Sequence, residues 1–369
     1  MLEILRKLHL YIALVTALPL VLLIASGVAL VYKTDFWQLD HPALKNAPVE
    51  GSAEEHARAI ESMAARFDVG IEYVKYPQPE LPAYHLWLAD GREALVMPGS
   101  LEIVDQWRWF QRPTAFLAEL HLHLLADEAG SRVVGWLGLL TLFLLVSGLV
   151  IWWPALKRFR WRSLWPRDLS RPRLLMFHRN LGALSFPVLL LLVACGTGVA
   201  YFQPTRSLLN NLFGDSVSAP LGAAPSAPEH GGEPLALEPL LAAAHRTLPE
   251  GRISFVALGA MDGGVLTVRK RMPSEPHPNG LSFVHLDTRT GEVLEVVDGS
   301  AASRGDRLAN WMYPLHAGKL NPATAGGRLW QAVVTLSGVV MMGLVLAGLR
   351  AWVGSLRGTR MRSSKPAER

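Results

Sequence analysis

"MFHRNLGALSFPVLLLLVACGTG", residues 176–198, begins with a histidine and an arginine and then runs apolar to its end. The chain already does this near its start. In "KLHLYIALVTALPLVLLIASG" His9 stands eighteen residues before Gly27, as His178 stands eighteen before Gly196. A small residue precedes each glycine (Ser26, Cys195), and a proline lies partway along each segment (Pro19, Pro187). The two stretches read as copies of one part, an oily span that opens on a histidine.

Half of the 369 residues are hydrophobic, and they are concentrated in runs. Residues 10–32, 133–156, 180–205 and 329–349 contain no Asp, Glu, Lys or Arg. Each exceeds the roughly 20 residues that carry a helix across a bilayer. Backbone polar groups find no water there, so the runs are expected as membrane-spanning helices. Arg6 and Lys7 before the first run, and "ASG" within it, imitate a signal peptide, but the apolar core is too long for one. The connector after span two holds seven Lys/Arg against one Asp, and the tail after Leu349 six against one Glu. Residues 33–112 hold eight basic and thirteen acidic side chains. The bias of basic residues to the inside places both termini and the connector in the cytoplasm and both long loops outside. The net charge of +5 records this topology and implies no nucleic-acid partner. Cys195 is the only cysteine and lies within a span, so neither a disulfide framework nor a cysteine-ligated cluster is available.

The loops also repeat one order. "SAEEHARAIESMAARF" has helical spacing, and "AYHLWLADGREALVMPGSLEIVDQ" then reads as strands around Gly turns. After a Pro/Gly/Ala linker (219–234), "ALEPLLAAAHRTLPEG" reads as a short amphipathic helix, followed by the strands "ISFVALG", "GVLTVRK", "LSFVHLD" and "GEVLEVVDG". The expected boundaries are span one (1–32), outer domain one (33–117), the outer approach and span two (118–156), the basic connector (157–176) and span three (177–205). The linker and outer domain two (206–312), the approach and span four (313–350) and the basic tail (351–369) complete the chain.

"VHLDTRTGEVLEV" (284–296) resembles the strand–turn–strand of PepSY domains. "LHAG…GGRLW" (315–330), "FHRNLGAL" and "SGLVIWWP" are similar to motifs of the PepSY-associated transmembrane family, in the same order. The resemblance covers nearly the whole chain and implies a four-helix membrane bundle, internally duplicated, with two periplasmic α+β PepSY-like domains. Within the family the likeness is to ferric-siderophore reductases of the FoxB type, which implies a bacterial inner-membrane oxidoreductase carrying haem. The first outer domain lacks the "DxxTGE" turn, so its assignment rests on position and element order.

The histidines sort by face. His9 and His178 open the outward-running spans one and three, near the cytoplasm. His121 and His123 in "ELHLHLLADEAG", and His316 in "YPLHAG", precede the inward-running spans two and four. Towards their far ends the spans carry Ser26–Gly27, Ser147–Gly148, Cys195–Gly196 and Ala347–Gly348. Each face thus receives histidines from two helices beside walls without side chains, an arrangement suited to a flat porphyrin held by two imidazoles. Two haem b groups are expected, with axial ligands His9 and His178 inside, and His121 and His316 outside. In a helix His121 and His123 face opposite ways, so only one of them ligates. The family motif aligns with His121, which leaves His123 for a propionate or substrate contact. Arg132 and Arg328, in "GSR" and "GGR", are the expected propionate partners outside, ahead of Lys319, with Arg6, Lys7, Arg173 and Arg179 available inside. Their alternative role is interfacial anchoring. "QWRWFQR" (106–112) reads either as a binding strip for a chelate or as an aromatic belt. Met341 and Met342 read as packing. His41, His56, His85, His230, His245, His277 and His285 lack ligand-like spacing.

Two such haems form a one-electron relay across the membrane, and the family implies a ferric siderophore of hydroxamate type as outer acceptor. No dinucleotide fingerprint or P-loop is present, so a quinol or a cytoplasmic redox protein is expected as donor. A haem-free PepSY sensor and a haem or metal transporter are the competing classes.

Overall fold

The computed structural model describes residues 1–215, 223–226, 231–321 and 324–363. His230, most of the linker and the end of the tail lie outside the described residues. The first half of the chain forms α1 (Leu2–Leu30), α2 (Lys33–Asp40), α3 (Ala53–Ala64), β1 (Ile71–Lys75), β2 (Tyr84–Leu88), β3 (Glu93–Val96), β4 (Ile103–Trp107), α4 (Pro113–His123) and α5 (Asp127–Trp152). The second half forms α6 (Arg171–Ala200), α7 (Phe202–Phe213), α8 (Leu237–Thr247), β5 (Arg252–Ala257), β6 (Val265–Arg271), β7 (Ser282–Asp287), β8 (Val293–Val297), α9 (Arg304–His316) and α10 (Ala325–Ser363).

The chain divides into two compact units. Met1–Val31, Leu117–Ala200 and the chain from Trp330 on form the first. It holds α1, α5, α6 and most of α10, the four helices among the described residues that are long and apolar enough to cross a membrane. Their burial is inverted relative to a water-soluble bundle. Leu18, Leu336 and Leu346 are exposed, whereas Thr16, Ser26, Thr141 and Ser147 are buried. With lipid as solvent, leucine gains little by turning inward, and small polar residues gain close helix contact and a hydrogen-bond partner. These helices begin earlier than the apolar runs. α1 starts at Leu2 and α6 at Arg171, so His9 and His178 lie two turns inside their helices, not at the start. The helical backbone satisfies itself through the interface as well as the hydrocarbon, so charged flanks extend it. Span three stops at Ala200, short of the expected Thr205. Tyr201 leaves the helical region (φ −113°, ψ 51°) and α7 begins after it.

Tyr32–Phe116 and Tyr201–Leu329 form the second unit. Here helix-then-four-strands occurs twice, as α3 with β1–β4 and α8 with β5–β8. A capping box starts α3: Glu55 N–H donates to Ser52 Oγ (3.1 Å) and Ser52 N–H to Glu55 Oε2 (2.8 Å). Two separate outer domains were expected; instead the eight strands make one antiparallel sheet in the order β4-β3-β2-β1-β5-β6-β7-β8. The seam is β1 against β5, with Tyr73 opposite Ala257, Val74 opposite Val256 and Lys75 opposite Phe255. Joining along β1 and β5 removes two exposed edges that would otherwise recruit other chains. It also lets one face carry a continuous core, where Ile60 and Met63 of α3 and Leu240 and Leu241 of α8 pack on Val74, Leu86, Val256, Val268 and Val284. α2, α7 and α9 were not anticipated.

Candidate functional site

Three histidines of the first unit are held in one way. His178 Nδ1–H donates to the carbonyl of Leu344 (2.9 Å), and His121 Nδ1–H to the carbonyl of Leu23 (3.0 Å), with Ser26 Oγ at 3.2 Å. His9 Nδ1 lies 2.9 Å from Ser147 Oγ. The same hydroxyl lies 3.2 Å from the Leu144 carbonyl, and when it donates there it accepts from the imidazole. A carbonyl only accepts, so in His121 and His178 the proton is on Nδ1 and the lone pair on Nε2, the arrangement that makes histidine a metal ligand with fixed tautomer.

Each ring also lies against a glycine of the facing helix. A Cβ on Gly27 would stand 2.8 Å from His121 Cε1, one on Gly148 3.3 Å from His9 Cε1, and one on Gly348 3.6 Å from His178 Cε1. The absent side chain is what admits the ring. The partner is coupled to the same glycine: Leu23 and Leu344 stand four residues before Gly27 and Gly348, and Ser147, the partner of His9, stands directly before Gly148. The pattern Leu-x-x-small-Gly recurs in span three as Leu192, Cys195 and Gly196. Sequence reading found the small pairs but missed the leucines, because they act through a backbone carbonyl and carry no chemical signal of their own.

The structure brings His9 and His178 together, with ring centroids 6.4 Å apart and planes at 84°. Neither Nε2 makes a hydrogen bond among the described residues. Metal–imidazole bonds of about 2 Å, drawn from two Nε2 atoms to one centre, put the ring centroids about 6 Å apart. The centroid separation of the pair is close to that spacing. No group of three or more His, Cys, Asp or Glu suited to a metal occurs among the described residues, and a porphyrin-held iron asks the protein for only two.

The remaining candidates divide. His123 turns away from His121 and pairs with Glu119 at 2.8 Å. The backbone breaks just after it, with Leu124, Leu125 and Asp127 at φ 46°, 60° and 45°, so α5 starts afresh. His316 is the last residue of α9 and belongs to the second unit. Arg132 pairs with Glu128 (2.9 Å), Arg328 with Asp35 (2.7 Å), Arg173 with Asp168 (3.1 Å) and Lys7 with Glu3 (3.2 Å). "QWRWFQR" is not a surface strip. Trp107 is buried, and Arg112 lies over the rings of Trp37 and Trp107, ion-paired to Asp40 and Asp105. Trp109, Phe110 and Gln111 remain exposed. His85 is buried between Trp37 and Trp87, with Glu93 2.6 Å from its Nε2. Burial outweighs that carboxylate and lowers the imidazole to about 4, so His85 is neutral at physiological pH.

No curated protein matches the chain. The PepSY-associated TM region family matches residues 6–354, a stretch that takes in the histidines, the glycines and both units, and the chain belongs to this family.

Proposed function

We propose that the chain is a di-haem oxidoreductase of the bacterial inner membrane, which passes single electrons outward to a ferric siderophore and releases Fe(II) in the periplasm. The observation that carries this reading is the His9–His178 pair: two imidazoles with centroids 6.4 Å apart, each against a glycine, Gly148 or Gly348. His9 and His178 would hold the inner haem b, and His121 would be a ligand of the outer one. The chemistry such a group supplies between two imidazoles is one-electron transfer, because no coordination position is open for oxygen or substrate.

The residues around it have definable tasks. Ser147 and the Leu344 carbonyl fix the tautomers of His9 and His178 and raise the donor strength of Nε2. The apolar span excludes water from both rings. A membrane quinol or a cytoplasmic redox protein gives up one electron for each Fe(III) reduced. Loss of one charge weakens the metal's hold on hard oxygen donors, which releases iron without cleaving the chelator.

Full-length protein in sealed vesicles, prereduced and then given an outer Fe(III) siderophore, should reoxidise and form Fe(II) outside, read with a ferrous-specific dye. A pyridine-haemochrome assay should return two haems per chain. Protein that stays reduced with both hydroxamate and catecholate ferric complexes overturns the reductase reading, and one haem or none overturns the ligand assignment.

Gly27→Val separates the two sites. A Cβ already intrudes on His121 at 2.8 Å, so valine must expel the ring from its Leu23 acceptor, at a packing cost of about 1–3 kcal/mol. The outer haem should be lost and the inner retained. Unchanged spectra for both would remove His121 from the ligand set.

A further inference from the structure

The spanning stretches Asp127–Lys157 and Arg171–Ala200 are joined by residues 158–170. Both stretches belong to the first unit, and so short a connector stays close to the membrane boundary. It is folded rather than slack. Buried Asn180 of α6 accepts from Trp152 Nε1 of α5 (2.9 Å) and donates through Nδ2 to Ser163 Oγ (2.6 Å). Ser163 Oγ in turn donates to the Arg160 carbonyl (2.5 Å), as does the Ser163 backbone N–H (3.0 Å), which holds the short turn Trp161–Leu164. Ser163 is thus drawn back along α6 to the level of Asn180, roughly 13 Å from Arg171 at 1.5 Å per residue. Residue 180 is where the charge-free run 180–205 begins. The connector therefore dips to the edge of the hydrocarbon.

Its exposed side chains alternate in kind. Trp153, Trp161 and Trp165 are 63%, 65% and 73% exposed, and Lys157, Arg160, Arg162, Arg167 and Arg171 are exposed among them. None of these five cations makes a side-chain hydrogen bond or ion pair among the described residues. The one acid of the connector, Asp168, is taken by Arg173 (3.1 Å) and by the Ser170 backbone N–H (3.0 Å). Glu3 is taken by Lys7 (3.2 Å). Glu119, Asp127 and Glu128 stand before or at the start of α5, a helix roughly 40 Å long that ends at the connector. Glu368 lies outside the described residues. The surplus of positive charge is therefore local, and no acid of the first unit's described residues is left to meet it.

An indole, apolar with one polar edge, is most stable in the headgroup layer, and a guanidinium there can meet phosphodiester oxygens with two parallel N–H bonds. We propose that the connector is a binding site for anionic phospholipid. Lys157, Arg160, Arg162 and Arg167 take the phosphates, and Trp161 and Trp165 lie against the glycerol and upper acyl carbons. A zwitterionic lipid suits the indoles equally but brings its own cation, so the basic side chains select the anionic one. An acidic redox protein offers the same charge. The turn held at Asn180, however, lies where the charge-free run starts, a depth that lipid reaches and a water-soluble protein does not. The site requires no haem and is independent of the reductase reading.

The test uses the full chain in micelles holding equal amounts of phosphatidylglycerol and phosphatidylcholine with the same acyl chains, and native mass spectrometry counts the lipid retained. Phosphatidylglycerol should be retained in preference, and added salt should erode that preference. Arg162→Gln should lower the preference about fivefold, the usual effect of one basic residue at an anionic surface. Arg160→Gln, Arg162→Gln and Arg167→Gln together should lower it on the order of a hundredfold. Trp161→Ala with Trp165→Ala should instead weaken retention of both lipids and leave their ratio unchanged, because the indoles do not read the headgroup. Thermal unfolding checks that each variant is folded, and should the triple variant fail to fold, Arg162→Gln decides alone. Equal retention of the two lipids by the wild-type chain overturns the site. So does an undiminished preference in the folded triple variant, which would leave the surface to an acidic protein.

Discussion

Alanine in place of His178 is expected to leave purified protein with one haem per chain, and alanine in place of His9 to remove the same haem. The two ring centroids, one on α1 and one on α6, lie 6.4 Å apart, and this is the pair proposed to hold the inner haem. Each is fixed by a separate acceptor, Ser147 on α5 or Leu344 on α10. On the proposed ligation, losing either imidazole would open a coordination position and halve the protein's hold on the iron, while His121 remains bonded to Leu23 on α1. The double variant should therefore look like either single one, because each removes the same unit. Ser147→Ala is the milder control: it keeps the ligand but removes its orienting partner, for an expected 10–100-fold loss in metal affinity. Haemochrome content and the visible spectrum read all four proteins. Full haem content in His178→Ala, with an unaltered spectrum, would remove His178 from the ligands.

The second large effect is on stability. Arg206 of α7, 1% exposed, donates through Nε and Nη2 to both carboxylate oxygens of Asp306 on α9 (2.5 and 3.0 Å). Asn210 Nδ2 adds a third bond to Asp306 at 2.8 Å, and Ser303 Oγ donates to Asn210 Oδ1 at 2.5 Å. Burial by itself raises the Asp306 carboxyl, yet the bonds from Arg206 and Asn210 outweigh it and hold the pKa below the ordinary value. A depressed carboxyl stabilises the fold above its unfolded pKa, near 3.9, and the contribution is lost only as pH falls through the folded value. At neutral pH, Arg206→Met should strand a buried carboxylate and cost roughly 3–5 kcal/mol. Replacing both partners, Arg206→Met with Asp306→Leu, should recover much of that loss. Thermal unfolding of the full chain checks both. A loss under about 1 kcal/mol in Arg206→Met would mean water already satisfies the pair.

These elements differ in how far they could be read beforehand. The four spans were plain, since no charge interrupts residues 10–32, 133–156, 180–205 or 329–349. The histidine–glycine spacing was equally visible, because both ends are side-chain letters. The acceptors at Leu23 and Leu344 were not, because any residue supplies a carbonyl. α9 escaped notice because its pattern is polar and holds Pro314. "QWRWFQR" misled for a different reason: Trp107 and Arg112 are buried only because Trp37, far away in sequence, packs on them. The β1–β5 seam joins residues separated by two complete spans, and nothing local to either strand announces its partner.

That seam has a consequence for how the protein is made. Lys75 is synthesised long before Phe255, its partner across β1 and β5, and α5 and α6 must be threaded between them. At about 5–20 residues per second the first half-sheet waits on the order of ten seconds with one edge of β1 unpaired. During that interval it presents an open edge that another nascent chain can claim. Biogenesis of this protein is therefore expected to be sensitive to crowding of translocation sites, and a holding chaperone on the side of the loops would act on the first half alone.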